Sequence, residues 1–166
     1  ASTGVIGQIL PIEPIAEGMP ALAGALSEDG SADAAAAIMT TDTVKKEFAC
    51  EFELGGKTCR MGAIAKGSGM IHPNMATLLC FVTTDAAVSS QVLARALKEV
   101  IDDTLNMVSI DGDSSTNDMA MIVANGAAEN APIDAKGADY EMFKTALLSV
   151  MTRVSRAIAK DGEGAT

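Results

Sequence analysis

Lys66-Gly67-Ser68-Gly69-Met70-Ile71-His72-Pro73-Asn74-Met75-Ala76-Thr77-Leu78-Leu79-Cys80-Phe81-Val82 is the stretch on which the fold turns. A glycine loop runs past a proline into an Ala-Thr pair, and a continuous apolar run begins at Leu78. Such a run fits a strand buried on both faces. The order predicts a threonine presented at the mouth of a sheet. A threonine hydroxyl is a poor nucleophile without a base beside it. Cleavage of the Ala76–Thr77 peptide bond would supply one: the new α-amine of Thr77 would ordinarily titrate near ~8 and can accept the hydroxyl proton. On spacing alone, a threonine opening a buried strand is the commoner situation, because Ala-Thr is no signature by itself.

The segments on either side give the setting. Phe48 to Leu54 alternates, with Phe48, Cys50, Phe52 and Leu54 on one side and Ala49, Glu51 and Glu53 on the other. Gly55-Gly56 is a two-residue hairpin signal, and the return strand runs from about Thr58 to Ala65. Downstream, Ser89 or Ser90 caps a helix reaching about Asn106, with Val92, Leu93, Leu97, Val100, Ile101 and Leu105 as its core stripe. Met107 to Ile110 reads as a short strand, Asp111 to Asp118 as a polar loop, and Met119 to Ala124 as a second apolar strand stopped by Asn125-Gly126. The last helix spans Ala138 to about Lys160 and buries Met142, Phe143, Leu147, Val150, Met151, Val154 and Ile158. Toward the start, Ser2 to Gly7 is a small-residue turn. Pro11 and Pro14 set up a helix carrying Ile15, Met19, Leu22 and Leu26 on one face, which Pro20 kinks or restarts. Ser31 caps a helix from Ala32 to Met39, and Thr40 to Thr43 is polar loop. There is no internal repeat or linker. The order predicts an α+β class with helices packed on sheets.

The chain has 166 residues, enough for one domain with a real core. Its residues are 48% apolar and only 3% aromatic, so alanine, methionine and small β-branched side chains must fill the interior. A formal charge of −10 argues against nucleic acid and anionic membranes as partners. No apolar run approaches the roughly 20 residues that cross a bilayer, and no basic start leads into an apolar segment. Cys50, Cys59 and Cys80 form no CxxC pair, and their odd number reads as reduced, mostly buried thiols in a cytoplasmic protein. Cys50 and Cys59 are spaced to face one another across the hairpin, which leaves a bridge open. The opening Ala1-Ser2-Thr3-Gly4 and the closing Gly162-Glu163-Gly164-Ala165-Thr166 predict the middle of a longer protein.

Several polar residues have two readings. Lys66 suits a carboxylate or phosphate, but Gly62-x-x-x-Lys66-Gly67-Ser68 is not the phosphate loop GxxxxGK[ST], and a solvated loop charge fits as well. Thr3-Gly4 can donate a hydroxyl and a backbone N–H to an oxyanion, or simply form a tight turn. Thr40 and Thr41 fit a helix end or a polar turn. Glu163, between two glycines, suits an amine or is plain loop charge. The loop from Asp111 lacks the glycine and glutamate of an EF-hand, so a buried turn with side chains bonded to backbone is the better reading. The lone His72 has no histidine partner for a metal.

Taken together, six segments narrow the field: Ser2-Thr3-Gly4-Val5-Ile6-Gly7; Met39-Thr40-Thr41-Asp42-Thr43; Ala65 to Thr77 with its glycine loop; Asp111-Gly112-Asp113-Ser114-Ser115-Thr116-Asn117-Asp118; Ala124-Asn125-Gly126-Ala127; and Asp161-Gly162-Glu163-Gly164-Ala165-Thr166. In this order they strongly resemble the ornithine acetyltransferase (glutamate N-acetyltransferase) family of arginine biosynthesis, from end to end of the chain. The resemblance implies a layered αββα sandwich. It implies self-cleavage at Ala76–Thr77, so that 1–76 is the C-terminal part of an α chain and 77–166 the N-terminal part of a β chain. Thr77 would be the nucleophile, Thr3 and Gly4 the oxyanion pair, and Thr40, Lys66, Thr77 and Glu163 the substrate contacts. Acetyl would pass from N-acetylornithine to glutamate through an acetyl-threonine ester, with no metal or organic cofactor, in an assembly of two α and two β chains. Members differ in whether acetyl-CoA is also a donor. Family members are much longer than this chain and carry further substrate contacts beyond it. Two rival readings remain: a related self-cleaving aminopeptidase or amidase that passes the acyl group to water, and a non-catalytic fragment of an assembly.

Overall fold

The computed structural model describes residues 7–72, 78–113, 115 and 117–164. Alternation decides the strands. β1 (Lys46–Leu54) and β2 (Lys57–Lys66) form an antiparallel hairpin. It closes through Gly55 and Gly56, whose φ values of 55° and 79° are those a tight two-residue turn demands. β2 pairs antiparallel with β3 (Leu79–Thr84), and β3 pairs parallel with β4 (Met119–Ala124), giving the order β1-β2-β3-β4. A parallel pair needs a crossover. Here it contains α3 (Ser90–Asp102) and a 3-10 turn, Leu105–Met107. Ser89 starts α3 by accepting the N–H of Val92 at 3.4 Å.

α4 (Ala138–Lys160) lies against β1, β2 and α3. It buries Tyr140, Phe143, Leu147, Val150, Met151, Val154 and Ile158 against Cys59, Met61, Ala63, Ala65, Cys80 and Val82 of the sheet. The Phe52 and Phe143 rings sit 6.2 Å apart across this seam. The other face of the sheet is different. Pairings Ile64↔Phe81 and Phe81↔Met121 run a row of apolar side chains across it. Met121 and Val123 there are 42% and 49% exposed. Ser31, Ala49, Gly62, Ile64, Phe81 and Thr83 border a hollow of about 330 Å³ on that face. β3 is therefore buried on one face only, against the expectation of two, because among the described residues no second layer covers the other.

Other departures have local causes. Met107 to Ile110 is not a strand: a 3-10 turn occupies its start, and Ile110 donates one backbone bond, to the Ile71 carbonyl at 2.9 Å. Met142 is 48% exposed, since a helical step of about 100° carries it off the axis of Phe143 and Leu147. α1 (Glu13–Gly24) runs unbroken through Pro20, and none of its residues is buried. Leu26 lies past its end. In α2 (Ser31–Ala37), Ser31 is the first helical residue and makes no side-chain cap; Gly30 precedes it.

All three cysteines are free thiols; Cys59 and Cys80 are buried and Cys50 half-buried. Burial pushes the Cys80 thiol up to about 12. Alkylation of the native protein at pH 8, mapped by mass spectrometry, is expected to label Cys50 first and leave Cys80 unmodified until the protein unfolds.

Candidate active site

Thr40, Lys66 and Glu163 come from three distant parts of the chain, and all three line one cavity of about 350 Å³. Thr41, Gly67, Ser68, Gly69, Met70, Asp111 and Asp113 complete its wall. Thr3, Gly4, Ala76 and Thr77 lie outside the described residues. The cavity opens at the end of β2, where Lys66 leaves the sheet and the glycine loop begins.

Hydrogen bonds hold the loop walls together. The Thr41 and Ser68 hydroxyls are 2.6 Å apart, and the Glu163 N–H donates to the Ser68 carbonyl at 2.7 Å. The Glu163 carboxylate lies over Gly69, where an added Cβ would stand 2.9–3.0 Å from its carbon and oxygens. On the far wall, Asp111 accepts the N–H groups of Met70 and, at 3.0 Å, Ile71. Met70 needs that clamp, because its φ of 55° is one that side-chain-bearing residues adopt at a cost of ~1 kcal/mol or more. The N–H of Met70 leads the influences that hold the Asp111 carboxyl below its ordinary value, working against partial desolvation. The loop from Asp111 does bond side chain to backbone as expected, but residues 111–113 are exposed rather than buried. Among the described residues, no group of three or more His, Cys, Asp or Glu is arranged to hold a metal ion. Among the described residues the cavity thus has one ammonium, from Lys66, and three carboxylates, from Asp111, Asp113 and Glu163. It suits a small molecule bearing both a carboxylate and an amine.

Beneath the cavity is an ion cluster that the sequence reading missed. Lys46 is fully buried; its ammonium lies 2.7 Å from Asp42 Oδ1 and 2.5 Å from Asp161 Oδ2. Asp42 also accepts the N–H of Gly67 at 2.7 Å and of Thr40 at 3.2 Å. Asp161 also accepts the N–H and hydroxyl of Thr43. Burial would push both carboxyls up, but these donors outweigh it: Asp42 is held below its ordinary value and Asp161 is brought down to about 2. A signal was present. Two residues before Phe48, Lys46 falls on the apolar face of β1, an unusual place for a lysine. Asp118, in turn, accepts the N–H of Leu78, the residue after Thr77, at 2.9 Å.

Residues 1–166 match the ArgJ family over their whole length. The chain belongs to the ArgJ family. Over 166 residues it is 55% identical to the "arginine biosynthesis bifunctional protein ArgJ" of Symbiobacterium thermophilum and 49% identical to that of Bacillus subtilis, covering all of this chain. It spans 41% of the first relative's length and 40% of the second's. A crystal structure of the ArgJ protein from Bacillus halodurans aligns with 52% of this chain and 40% of its own, at 42% identity and a TM-score of 0.50. The mixed helix-and-sheet architecture has its structural neighbour within the ArgJ family. Among the described residues no helix is long and apolar enough to cross a membrane.

Proposed function

We propose that the longer protein to which this chain corresponds is a cytoplasmic acetyltransferase of arginine biosynthesis, moving acetyl from N-acetylornithine to glutamate. One observation carries the reading: Thr40, Lys66 and Glu163, three of the four substrate contacts implied by the family resemblance, border a single cavity, the fourth, Thr77, lying outside the described residues. Lys66 would meet the α-carboxylate that donor and acceptor share, and Glu163 the free amine of the donor. After cleavage at Ala76–Thr77, the freed α-amine of Thr77 takes the hydroxyl proton while Oγ attacks the acetyl carbonyl carbon. Thr3 and Gly4 donate to the resulting oxyanion. The carbon–nitrogen bond then breaks, the departing amine takes the proton, and an acetyl ester remains on Thr77. The α-amine of glutamate attacks that ester, and Oγ leaves and regains a proton. No step calls for a metal or organic cofactor.

In this reading residues 1–76 end an α chain and 77–166 begin a β chain, two of each assembling together. The apolar, half-open face of the sheet would be covered by a second sheet from the rest of the longer protein, completing an αββα sandwich. The test is incubation of full-length protein with N-acetylornithine, with and without glutamate. Acetylglutamate is expected only when both are present. Release of acetate alone would identify a hydrolase instead, and no turnover would reject the reading. The Glu163 assignment has its own check. In Gly69→Ala the new Cβ collides with the Glu163 carboxylate, the end of a flexible side chain that can move aside. Stability should change by under ~1 kcal/mol. The KM for N-acetylornithine should rise about tenfold, while the KM for glutamate, which has no side-chain amine, should change little.

A further inference from the structure

We propose that the buried Lys46–Asp42–Asp161 cluster positions the cavity, with Lys46 as the positioning residue that locks Thr40, Gly67 and Glu163 into one arrangement. This rests on the acetyltransferase reading for its substrate, though not for its geometry.

Three wall segments meet at one ammonium. Asp42 reaches up from β1's approach and takes the N–H of Thr40 with one oxygen and that of Gly67 with the other, the latter also bound to Lys46. Asp161 is the residue on which α4 ends, two positions before Glu163. A carboxylate there faces the negative end of the helix dipole, an unfavourable place that the Lys46 ammonium offsets. Gly162 transmits the fix. A Cβ on it would lie 3.0 Å from Ile110 Cδ1 and 3.2 Å from the Ala159 carbonyl oxygen, so the chain turns there with no spare room. Glu163 then docks its N–H on the Ser68 carbonyl, opposite Thr41. Lys46 lines none of the cavity itself. Its effect runs through the two aspartates, which set how far the carboxylate-binding wall at Lys66 stands from the amine-binding wall at Glu163.

That role makes a specific demand on kinetics. The fixed groups hold parts of the substrate remote from the acetyl carbon, so disordering them removes binding common to ground and transition states, and raises KM more than it lowers kcat. The variant is Asp161→Asn in the full-length protein, nearly isosteric and uncharged. Hydrogen–deuterium exchange, read peptide by peptide, is expected to quicken at least threefold over residues 39–44, 66–70 and 161–164 together, with 79–84 unchanged. The KM for N-acetylornithine should rise about tenfold with kcat within threefold. Faster exchange confined to 161–164, an equal rise through 79–84, or a loss in kcat with KM unchanged would each overturn the proposal. If Asp161→Asn does not accumulate, Thr43→Ala, which removes a single hydroxyl bond to Asp161, must give the same pattern at smaller amplitude; its absence overturns the proposal too. A wild-type protein without transfer activity would defeat the acetyltransferase reading, and the exchange comparison would still decide this one.

Discussion

Thr77→Ala in the full-length protein is expected to abolish both chain cleavage and acetyl transfer. Alanine keeps the backbone but removes the oxygen that attacks in both events of the proposed mechanism. Without cleavage the nitrogen at position 77 stays an amide, and no amine is freed as base. In the proposed mechanism the ester intermediate forms on that oxygen alone. Loss of a hydrolase nucleophile costs on the order of 10⁶ in kcat, so transfer should fall by at least about a thousandfold. Intact mass spectrometry should find one uncut chain in the variant and two in the wild type. Thr77→Ser retains the hydroxyl and should keep both activities in reduced form, which separates chemistry from misfolding. Turnover surviving in Thr77→Ala would remove Thr77 from the mechanism. An uncut, active wild type would remove the freed amine as its base.

Much of the scaffold was written in local signals. Gly55-Gly56 marked the hairpin because only a tight turn with positive φ joins two alternating strands two residues apart. α4 was legible because a stripe at helical spacing persists from Tyr140 to Ile158, about five turns of a 23-residue helix. Met107 to Ile110 misled because three apolar residues around Ser109 can as well plug a loop as form a strand, and nothing local distinguishes the two. β3 misled for another reason. A continuous apolar run reports that both faces need cover, and the second cover is not among the described residues. Of the cavity, Thr40, Lys66 and Glu163 were reached through family resemblance rather than through spacing. Asp42, Lys46 and Asp161 were reached by neither. Their partnership spans most of the chain, and its one local trace is Lys46 on the apolar face of β1, which does not say which carboxylates meet it.

Lys46→Met should be the most destabilising substitution in this part of the fold, and its cost should shrink in acid. At neutral pH the variant leaves two carboxylates with little or no solvent access and no counter-charge; losing one partner of a buried ion cluster costs about 3–5 kcal/mol. The sign of the pH effect follows from linkage. In the wild type, Asp42 lies below its ordinary value and Asp161 near 2. Both depressed values stabilise the fold above the unfolded carboxyl pKa of about 4, and that contribution drains away as pH falls toward 2. In the variant the ammonium is gone while burial still opposes charge, so both carboxyls move up relative to the wild type. Protonation then relieves the variant at a pH where the wild type gains nothing. Urea unfolding at pH 7 and pH 4.5 should find the gap between the two proteins clearly narrower at the lower pH. A gap independent of pH would mean that the aspartates are not held by Lys46 in solution. A wider gap at pH 4.5 would reverse the electrostatics on which the positioning role depends.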